Sequence, residues 1–200
     1  MMDAGAWDAR YAESSRLWSL TPNVFLVPEV RDLAPGRALD LAAGEGRNAV
    51  WLAEQGWEVT AADFSAVAAD RVRELAAARG VELEVVVADV TTWVPPAETY
   101  DLVIVFYLHL PAPALRTVLA GATAALRPGG TILVVGHDVE NLTRGYGGPQ
   151  DVAILYDPEE LAAELADLDI VTARRVERTV EVEGGTRVAI DTLVRAVRRE

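Results

Sequence analysis

The sequence contains no cysteine and no lysine, and it has only two histidines. A chain without cysteine cannot form disulfide bonds, thiolate nucleophiles or cysteine-ligated zinc and iron–sulfur centres. A chain without lysine cannot form a Schiff base with a substrate, and it has neither a phosphate-loop lysine nor the tyrosine–lysine pair of small dehydrogenases. These absences exclude several enzyme classes, and we predict no metal site.

Basic residues are also few. The 200 residues include 18 arginines against 31 acidic residues, which gives a formal net charge of −13. Such an acidic surface repels phosphate backbones and anionic lipids, so we expect a small-molecule substrate, no nucleic-acid partner and no membrane partner. No apolar run approaches the roughly 18 residues that span a bilayer, and residues 1–10 lack the pattern of a signal peptide. We therefore expect a soluble, cytoplasmic protein, and the abundant alanine is typical of a GC-rich genome, which we take to be bacterial.

Short apolar runs alternate with helical patterns from Arg37 onward. The run at 100–108 (YDLVIVFYL) is continuous rather than alternating, which indicates a strand covered on both faces, as in a parallel sheet between helices. The predicted strands are 38–42, 58–62, 83–88, 100–108 and 131–135, and the predicted helices are 47–55, 66–78, 112–126 and one starting near residue 158.

The last part of the chain has a different pattern. Over residues 176–183, the even positions are valine or arginine and the odd positions are glutamate or threonine. Gly184-Gly185 is a two-residue hairpin signal, and residues 188–194 repeat the alternation. The alternation predicts an antiparallel hairpin with one wet face, and we expect Arg174, Arg175 and Arg178 to be solvated. The sequence thus predicts a single α/β domain over 1–200: a doubly wound, seven-stranded mixed sheet with helices on both faces, a core at 37–197 and a helical cap at 1–30.

The turn after the first strand, 40–49 (DLAAGEGRNA), carries the strongest local signal. Gly44 and Gly46 allow a sharp bend and a close ligand approach, and the next helix presents unpaired N–H groups. Asp63 follows the second strand, at the spacing where a carboxylate accepts both ribose hydroxyls. We predict a nucleotide-type cofactor, although Gly44, Gly46 and Ala49 also satisfy the GxGxxA fingerprint of NAD-binding proteins, and a purely structural turn is the third reading.

Carboxylates around this turn favour S-adenosylmethionine over NAD. Asp40 and Glu45 lie beside the turn, where they disfavour a pyrophosphate but suit an ammonium and a sulfonium group. Asp89, at the end of the third strand, supplies a second acid able to accept from an adenine amino group. The short chain also leaves no room for the substrate domain of a dehydrogenase.

Five motifs follow one another in a characteristic order: 40–46 (DLAAGEG), 63–65 (DFS), 88–90 (ADV), 100–103 (YDLV) and 126–130 (LRPGG). Over residues 37–197 this order resembles the class I S-adenosylmethionine-dependent methyltransferases. A narrower resemblance, carried by Gly46-Arg47-Asn48 and by the spacing of Trp7, Tyr11 and Trp18, is to the branch of tellurite-resistance and thiopurine methyltransferases. In that branch the N-terminal segment closes over the cofactor.

The resemblance implies that the cofactor is S-adenosylmethionine. It implies that Gly44 and Gly46 line the methionine part, that Asp63 binds the ribose, and that Asp89 and the Val90 backbone hold the adenine. At position 42 the family usually has glycine, so the Ala42 methyl group is expected to crowd the methionine end. The predicted cofactor-binding residues are Trp18, Asp40, Ala42, Gly44, Gly46, Asp63, Phe64, Asp89, Val90 and Phe106.

Both histidines follow predicted strands at the edge where the reaction is expected. His109 comes after the fourth strand and His137 after the fifth, and either is suited to take a proton near neutral pH. We therefore predict His137, His109 and Tyr107 as catalytic, with the glycine-rich segment 137–156 as a lid or substrate loop. The predicted function is methyl transfer to a small molecule by in-line displacement; the alternatives are an NAD-type oxidoreductase and a non-catalytic cofactor-binding protein.

Overall fold

A computed structural model of the chain describes residues 5, 7–8 and 20–200, and within this part the strands form a seven-stranded sheet. The strands are β1 (Arg37–Leu41), β2 (Glu58–Asp63), β3 (Glu84–Val87), β4 (Tyr100–Phe106), β5 (Leu126–His137), β6 (Asp169–Val182) and β7 (Gly185–Val197). Their order in the sheet is β3-β2-β1-β4-β5-β7-β6. β7 pairs antiparallel with both β5 and β6, whereas the pairs among β1 to β5 are parallel. The predicted doubly wound mixed sheet with its antiparallel hairpin is confirmed.

Helices cover both faces of the sheet. Within residues 20–200 they are α1 (Leu26–Val30), α2 (Arg47–Glu54), α3 (Ala66–Arg79), α4 (Ala112–Ala125), α5 (Asn141–Arg144) and α6 (Pro158–Ala163), with a 3-10 helix at Val152–Ile154. Side chains of β4 alternate between the faces: Leu102 and Ile104 pack with α1, α2 and α3, whereas Val103 and Val105 pack with α4 and α6. None of the helices in the described part of the chain is long and apolar enough to cross a membrane.

Strand ends differ from the predicted bounds for local reasons. β4 ends at Phe106, two residues early, because Tyr107 adopts a left-handed backbone conformation with a φ of 56°. β5 begins at Leu126 rather than 131, with a register shift against β4 between Tyr100 and Leu102. β6 begins at Asp169 rather than at 176. Its first half is exposed at the edge of the sheet and lacks the alternation seen after residue 176, so the sequence pattern did not predict it.

Candidate active site

The turn after β1 has an unusual backbone. Ala42, Gly44 and Gly46 have φ angles of 60°, 55° and 81°, all in the left-handed region. A Cβ at Gly46 would lie 2.8 Å from a methyl group of Val72 on α3. The turn therefore packs directly against α3, and Gly46 is the N-cap of α2. This arrangement presents the start of α2 at the carboxyl edge of the sheet, in what we call the cofactor crevice.

Asp63 ends β2 and holds the turn from the side. One carboxylate oxygen accepts a hydrogen bond from the Gly44 N–H at 2.8 Å, and the other accepts one from the Ser65 N–H at 3.0 Å. Burial raises the pKa of Asp63 although these backbone donors oppose the shift. The Ser65 hydroxyl also donates to the carboxylate of Asp8. Asp8 thus contacts Ser65, which is also bonded to Asp63 at the edge of the crevice.

Asp40, near the end of β1, is a buried carboxyl with an unused oxygen. It is 1% exposed, and its Oδ2 has no hydrogen-bond partner among the described residues. Burial, reinforced by the charge of Asp63, raises the pKa of Asp40 to about 8. An orphaned carboxyl oxygen beside left-handed glycines fits the amino group of a methionine moiety, because it gains the partner that the protein does not supply.

The raised pKa of Asp40 predicts a pH dependence of stability. The unfolded chain releases this proton near 3.8 and the folded chain near 8, so the contribution of Asp40 to stability is complete below about pH 4 and is lost as the pH rises through 8. The variant Asp40→Asn cannot ionise. Urea unfolding across about pH 5 to 9 should show wild type losing free energy of unfolding relative to the variant; parallel curves would contradict this assignment.

The remaining predicted cofactor residues lie along neighbouring strand ends. Asp89 follows β3 and is exposed, and its Oδ1 accepts hydrogen bonds from the Thr91 N–H at 2.9 Å and the Thr91 hydroxyl at 2.7 Å. Val90 and Phe64 are half-buried, whereas Phe106 is buried in the core. Trp18 lies outside the described residues. The structure thus aligns Asp40, Asp63 and Asp89 at the ends of three adjacent strands.

Tyr107, directly after β4, connects the crevice to a second polar group. Its hydroxyl donates to Asp191 Oδ2 at 2.8 Å and accepts from the Asn23 amide at 3.3 Å. The Asn23 backbone N–H in turn donates to the side chain of Asn48 at 2.9 Å. Asn48 lies in the first turn of α2, two residues after Gly46. Burial, reinforced by Asp191, raises the pKa of Tyr107, so its hydroxyl keeps its proton at neutral pH.

The two histidines stack on each other beside Tyr107. Their ring centroids are 5.1 Å apart, and the planes meet at 17°. His109 Nδ1 donates to the Ile154 carbonyl at 2.8 Å, and its Nε2 lies 3.5 Å from the His137 backbone N–H. Burial lowers the pKa of His109 to about 4. His109 is therefore neutral with both ring nitrogens engaged, whereas His137 Nε2 makes no hydrogen bond within residues 20–200.

Asp191 on β7 is the residue of this group that sequence reasoning missed. It is fully buried, lies opposite His137 in the strand register, and accepts a hydrogen bond from Arg178 Nε at 2.6 Å. The expectation of a wet face on the hairpin is wrong for β7, because β7 lies between β5 and β6 and residues 189–194 are all buried. Arg178 is likewise not simply solvated, since it pairs with this carboxylate. We call Tyr107, His109, His137, Arg178 and Asp191 the acceptor cluster.

Solved methyltransferase structures share this architecture. The protein TehB from Haemophilus influenzae is 16% identical with a TM-score of 0.74, covering 98% of this chain and 67% of that one. The N-methyltransferase NodS from Bradyrhizobium japonicum, bound to S-adenosylhomocysteine, is 18% identical with a TM-score of 0.71, covering 97% of each chain. At these identities the likeness shows a common fold.

A sequence match covers the part of the chain that forms the cofactor crevice. Residues 38–130, which contain the glycine turn, Asp63 and Asp89, match the family model of the methyltransferase domain. The chain therefore contains a methyltransferase domain. The cofactor of this methyltransferase domain is S-adenosylmethionine, as the sequence predicted, and the alternative of NAD is set aside.

Curated relatives of this methyltransferase correct one expectation. Hemagglutinin 1 of Eikenella corrodens is 33% identical over 108 residues, which are 53% of this chain and 36% of the relative. The tRNA 5-carboxymethoxyuridine methyltransferase of Escherichia coli K12 is 33% identical over 112 residues, 53% of this chain and 42% of the relative. The chain thus spans less than half the length of these relatives. Because one of them acts on tRNA, excluding nucleic-acid partners from net charge was wrong: charge opposes extended backbone binding but does not exclude an RNA acceptor.

Proposed function

We propose that the methyltransferase transfers the methyl group of S-adenosylmethionine to a small acceptor held at the acceptor cluster. The observation that carries this proposal is Asn23, which bonds both to Asn48 in the first turn of α2 and to Tyr107. This bridge links Tyr107 to the first turn of α2, which supports an acceptor site beside the cofactor crevice. When bound, the cofactor would supply an electrophilic methyl carbon, to which an acceptor lone pair bonds as the carbon–sulfur bond on the opposite side breaks and the sulfur leaves as a neutral thioether.

The crevice residues divide the binding of the cofactor among them. The unpartnered Oδ2 of Asp40 would accept from the amino group, and the left-handed Gly44 and Gly46 admit the methionine part without a Cβ in its way. Asp63, fixed by two backbone N–H groups, would accept from the ribose hydroxyls. Asp89, exposed beyond β3, would accept from the adenine amino group. Each contact pairs an acidic group with a donor or a positive charge, which suits the acidic character of the crevice.

In the acceptor cluster, His137 is the residue that can take a proton. Its Nε2 carries no hydrogen bond in the described part of the chain, and its ring lies 5.0 Å from the ring of Tyr107. His109 is neutral and bonded at both nitrogens, so its role is to support the His137 ring. Tyr107 keeps its proton and orients other groups by hydrogen bonding. A hydroxyl or amine acceptor would lose its proton to His137 as its lone pair forms the new bond to carbon.

The loop after β5 supports a small acceptor, because it covers the cluster. A Cβ at Gly148 would lie 3.0 Å from three atoms of the His137 ring, so the backbone of Gly148 packs against that ring. Asn141 fixes this part of the loop: its side-chain amide donates to the Gly147 carbonyl at 2.8 Å, and its oxygen accepts from the Ile190 N–H at 2.8 Å. An acceptor that reaches His137 must fit beside this cover, which favours compact molecules.

Calorimetric titration tests the cofactor assignment. Wild type should bind S-adenosylmethionine and S-adenosylhomocysteine but not NADH. Asp63→Ala should weaken binding by about 1 to 3 kcal/mol, roughly 5- to 150-fold, because it removes a carboxylate that holds Gly44 and faces the crevice. The matched control is Asp70→Ala on the exposed side of α3, whose carboxylate pairs with Arg73 on the same helix. Equal affinities for all three proteins would contradict the site.

Methylation assays then test the acceptor. Phenols, amines, thiols and chalcogen oxyanions should be assayed with labelled cofactor beside unmodified tRNA. Methylation within the small-molecule set supports the proposal. Methylation of tRNA alone would replace the small acceptor by an RNA acceptor, the activity named for the Escherichia coli relative. Tight cofactor binding without any product would favour the non-catalytic alternative.

A further inference from the structure

Asp191 brings three other members of the acceptor cluster to one carboxylate. Its Oδ2 accepts from the Tyr107 hydroxyl at 2.8 Å and from Arg178 Nε at 2.6 Å. Its Oδ1 lies 3.1 Å from His137 Nδ1. The three partners belong to different parts of the sheet: the end of β4, β6 and the end of β5. A fully buried carboxylate in the middle of a strand is costly unless it is paired, so this position is built around its partners.

The contact between Asp191 and His137 differs from the other two. Both atoms are buried, and neither makes a hydrogen bond of good geometry with any described residue, although they face each other at 3.1 Å. Because Tyr107 and Arg178 already occupy Oδ2, the free Oδ1 is the acceptor nearest to His137 Nδ1. A small tilt of the His137 ring would let its Nδ1 donate a hydrogen bond to Asp191 Oδ1. This bond would satisfy both buried atoms.

The neighbours of the His137 ring keep its Nδ1 facing Asp191. The ring is stacked on His109 on one side, and the backbone of Gly148 packs against it. The carboxylate it faces stays ionised: burial alone would raise the pKa of Asp191, but His137, Arg178 and Tyr107 together lower it below its usual value. A carboxylate is acceptor-only, so a neutral imidazole facing it must carry its proton on Nδ1.

We propose that Asp191 is a positioning residue of this methyltransferase: it keeps the proton of neutral His137 on Nδ1 and so leaves the Nε2 lone pair for the proton of the acceptor. The role rests on the proposed function. The role predicts that the acceptor has an O–H or N–H proton to lose, because only such an acceptor needs a free lone pair on His137 Nε2. After the proton arrives, the negative charge of Asp191 stabilises the imidazolium.

Nitrogen NMR of the histidine rings tests this role without cofactor or acceptor. The chain has only two histidines, so the spectrum is simple, and His109→Gln assigns the signals. At alkaline pH, in the neutral form of the ring, wild-type His137 should show a protonated Nδ1 and an unprotonated Nε2. In Asp191→Asn this preference should be lost, so that both tautomers are populated. A wild-type His137 protonated on Nε2 would overturn the proposal, and this result does not need the Asp191 variant to fold.

The chain offers a matched control in Asp138. This residue is also fully buried beside the end of β5, and it also pairs with an arginine of β6, since Arg175 Nε donates to its Oδ1 at 2.9 Å. Its second oxygen accepts from the Thr192 hydroxyl at 2.6 Å rather than from a histidine. Asp138→Asn should therefore cost similar stability but leave the His137 tautomer unchanged. Equal loss of the tautomer preference in both variants would show a merely structural role for Asp191.

Failure of this inference is distinguishable from failure of the proposed function. If wild type methylates alcohols or amines but its His137 tautomer does not depend on Asp191, the positioning role is wrong and methyl transfer stands. If the tautomer depends on Asp191 as expected but no acceptor is methylated, the positioning contact stands and the proposed function fails. With an active acceptor, Asp191→Asn should lower kcat by about 10- to 100-fold and leave the affinity for the cofactor within about threefold.

Discussion

Replacing Gly46 by alanine is expected to destabilise the methyltransferase by about 2 to 4 kcal/mol and to remove most of its affinity for S-adenosylmethionine. Two causes add at this position. Gly46 has a φ of 81°, which an L side chain rarely adopts. Its new Cβ would also lie 2.8 and 2.9 Å from the two methyl groups of Val72. Because the turn is packed against α3, it must move, and the contact between Gly44 and Asp63 moves with it.

Gly80 is the matched control for Gly46→Ala. It too has a left-handed backbone, with a φ of 68°, but a Cβ there would meet nothing within 4 Å. Gly80→Ala should therefore cost only about 1 kcal/mol and leave cofactor binding unchanged. The double variant Gly46→Ala with Val72→Ala should recover only the free energy of unfolding that is lost to the contact between the new Cβ and Val72. Urea unfolding and calorimetry check these values, and equal losses in the two single glycine variants would show that packing against Val72 is unimportant.

The sheet and the crevice follow from local patterns in the sequence. Continuous apolar runs such as 100–108 predict strands covered on both faces, and the structure places them at the centre of the sheet. Asp40, Asp63 and Asp89 each come at or near the end of such a strand. Because parallel strands end at a common edge, three separate positions predict one crevice. The type and direction of the strands were therefore enough to predict the position of the crevice.

Asp191 could not be predicted from the hairpin pattern. Alternation over 188–194 predicted apolar residues on one face and a wet face carrying Asp191, but the insertion of β7 between β5 and β6 buries both faces. Strand order in the sheet is a tertiary property that periodicity does not report. The one local signal was a carboxylate within 188–194, where every other residue except Thr192 is apolar. The buried carboxylate is tolerated because Tyr107 and Arg178 pair with it.

Ala42 stands where the family pattern usually has glycine. The methyl group was expected to crowd the methionine end. The structure shows that Ala42 adopts a φ of 60°, the left-handed conformation that glycine favours, at a cost of roughly 1 kcal/mol. The crowding of the methionine end stays a prediction. Asn23, which bridges residues 25 and 84 positions away, was not predicted at all, because contacts of such long sequence separation leave no periodic signal.

Replacing His137 by glutamine is expected to lower kcat by about 10²- to 10⁴-fold for alcohol or amine acceptors, the usual range for loss of a general base. The affinity for S-adenosylmethionine should stay within about threefold, since His137 belongs to the acceptor cluster rather than to the crevice. A thiol acceptor should lose far less, because its ordinary pKa of about 8.5 already gives a nucleophilic thiolate near neutral pH. Rates with the three acceptor types, at saturating cofactor, measure this difference.

The same assay separates the two histidines. His109 is bonded through Nδ1 to the Ile154 carbonyl and through Nε2 to the backbone of His137, and its pKa of about 4 keeps it neutral. His109→Gln should therefore lower stability and reduce the rates with all acceptors by a similar, smaller factor. Only the variant that lacks the general base should show a loss of rate that depends on the pKa of the acceptor. If that dependence appears in the His109 variant instead, the roles assigned to the two rings must be exchanged.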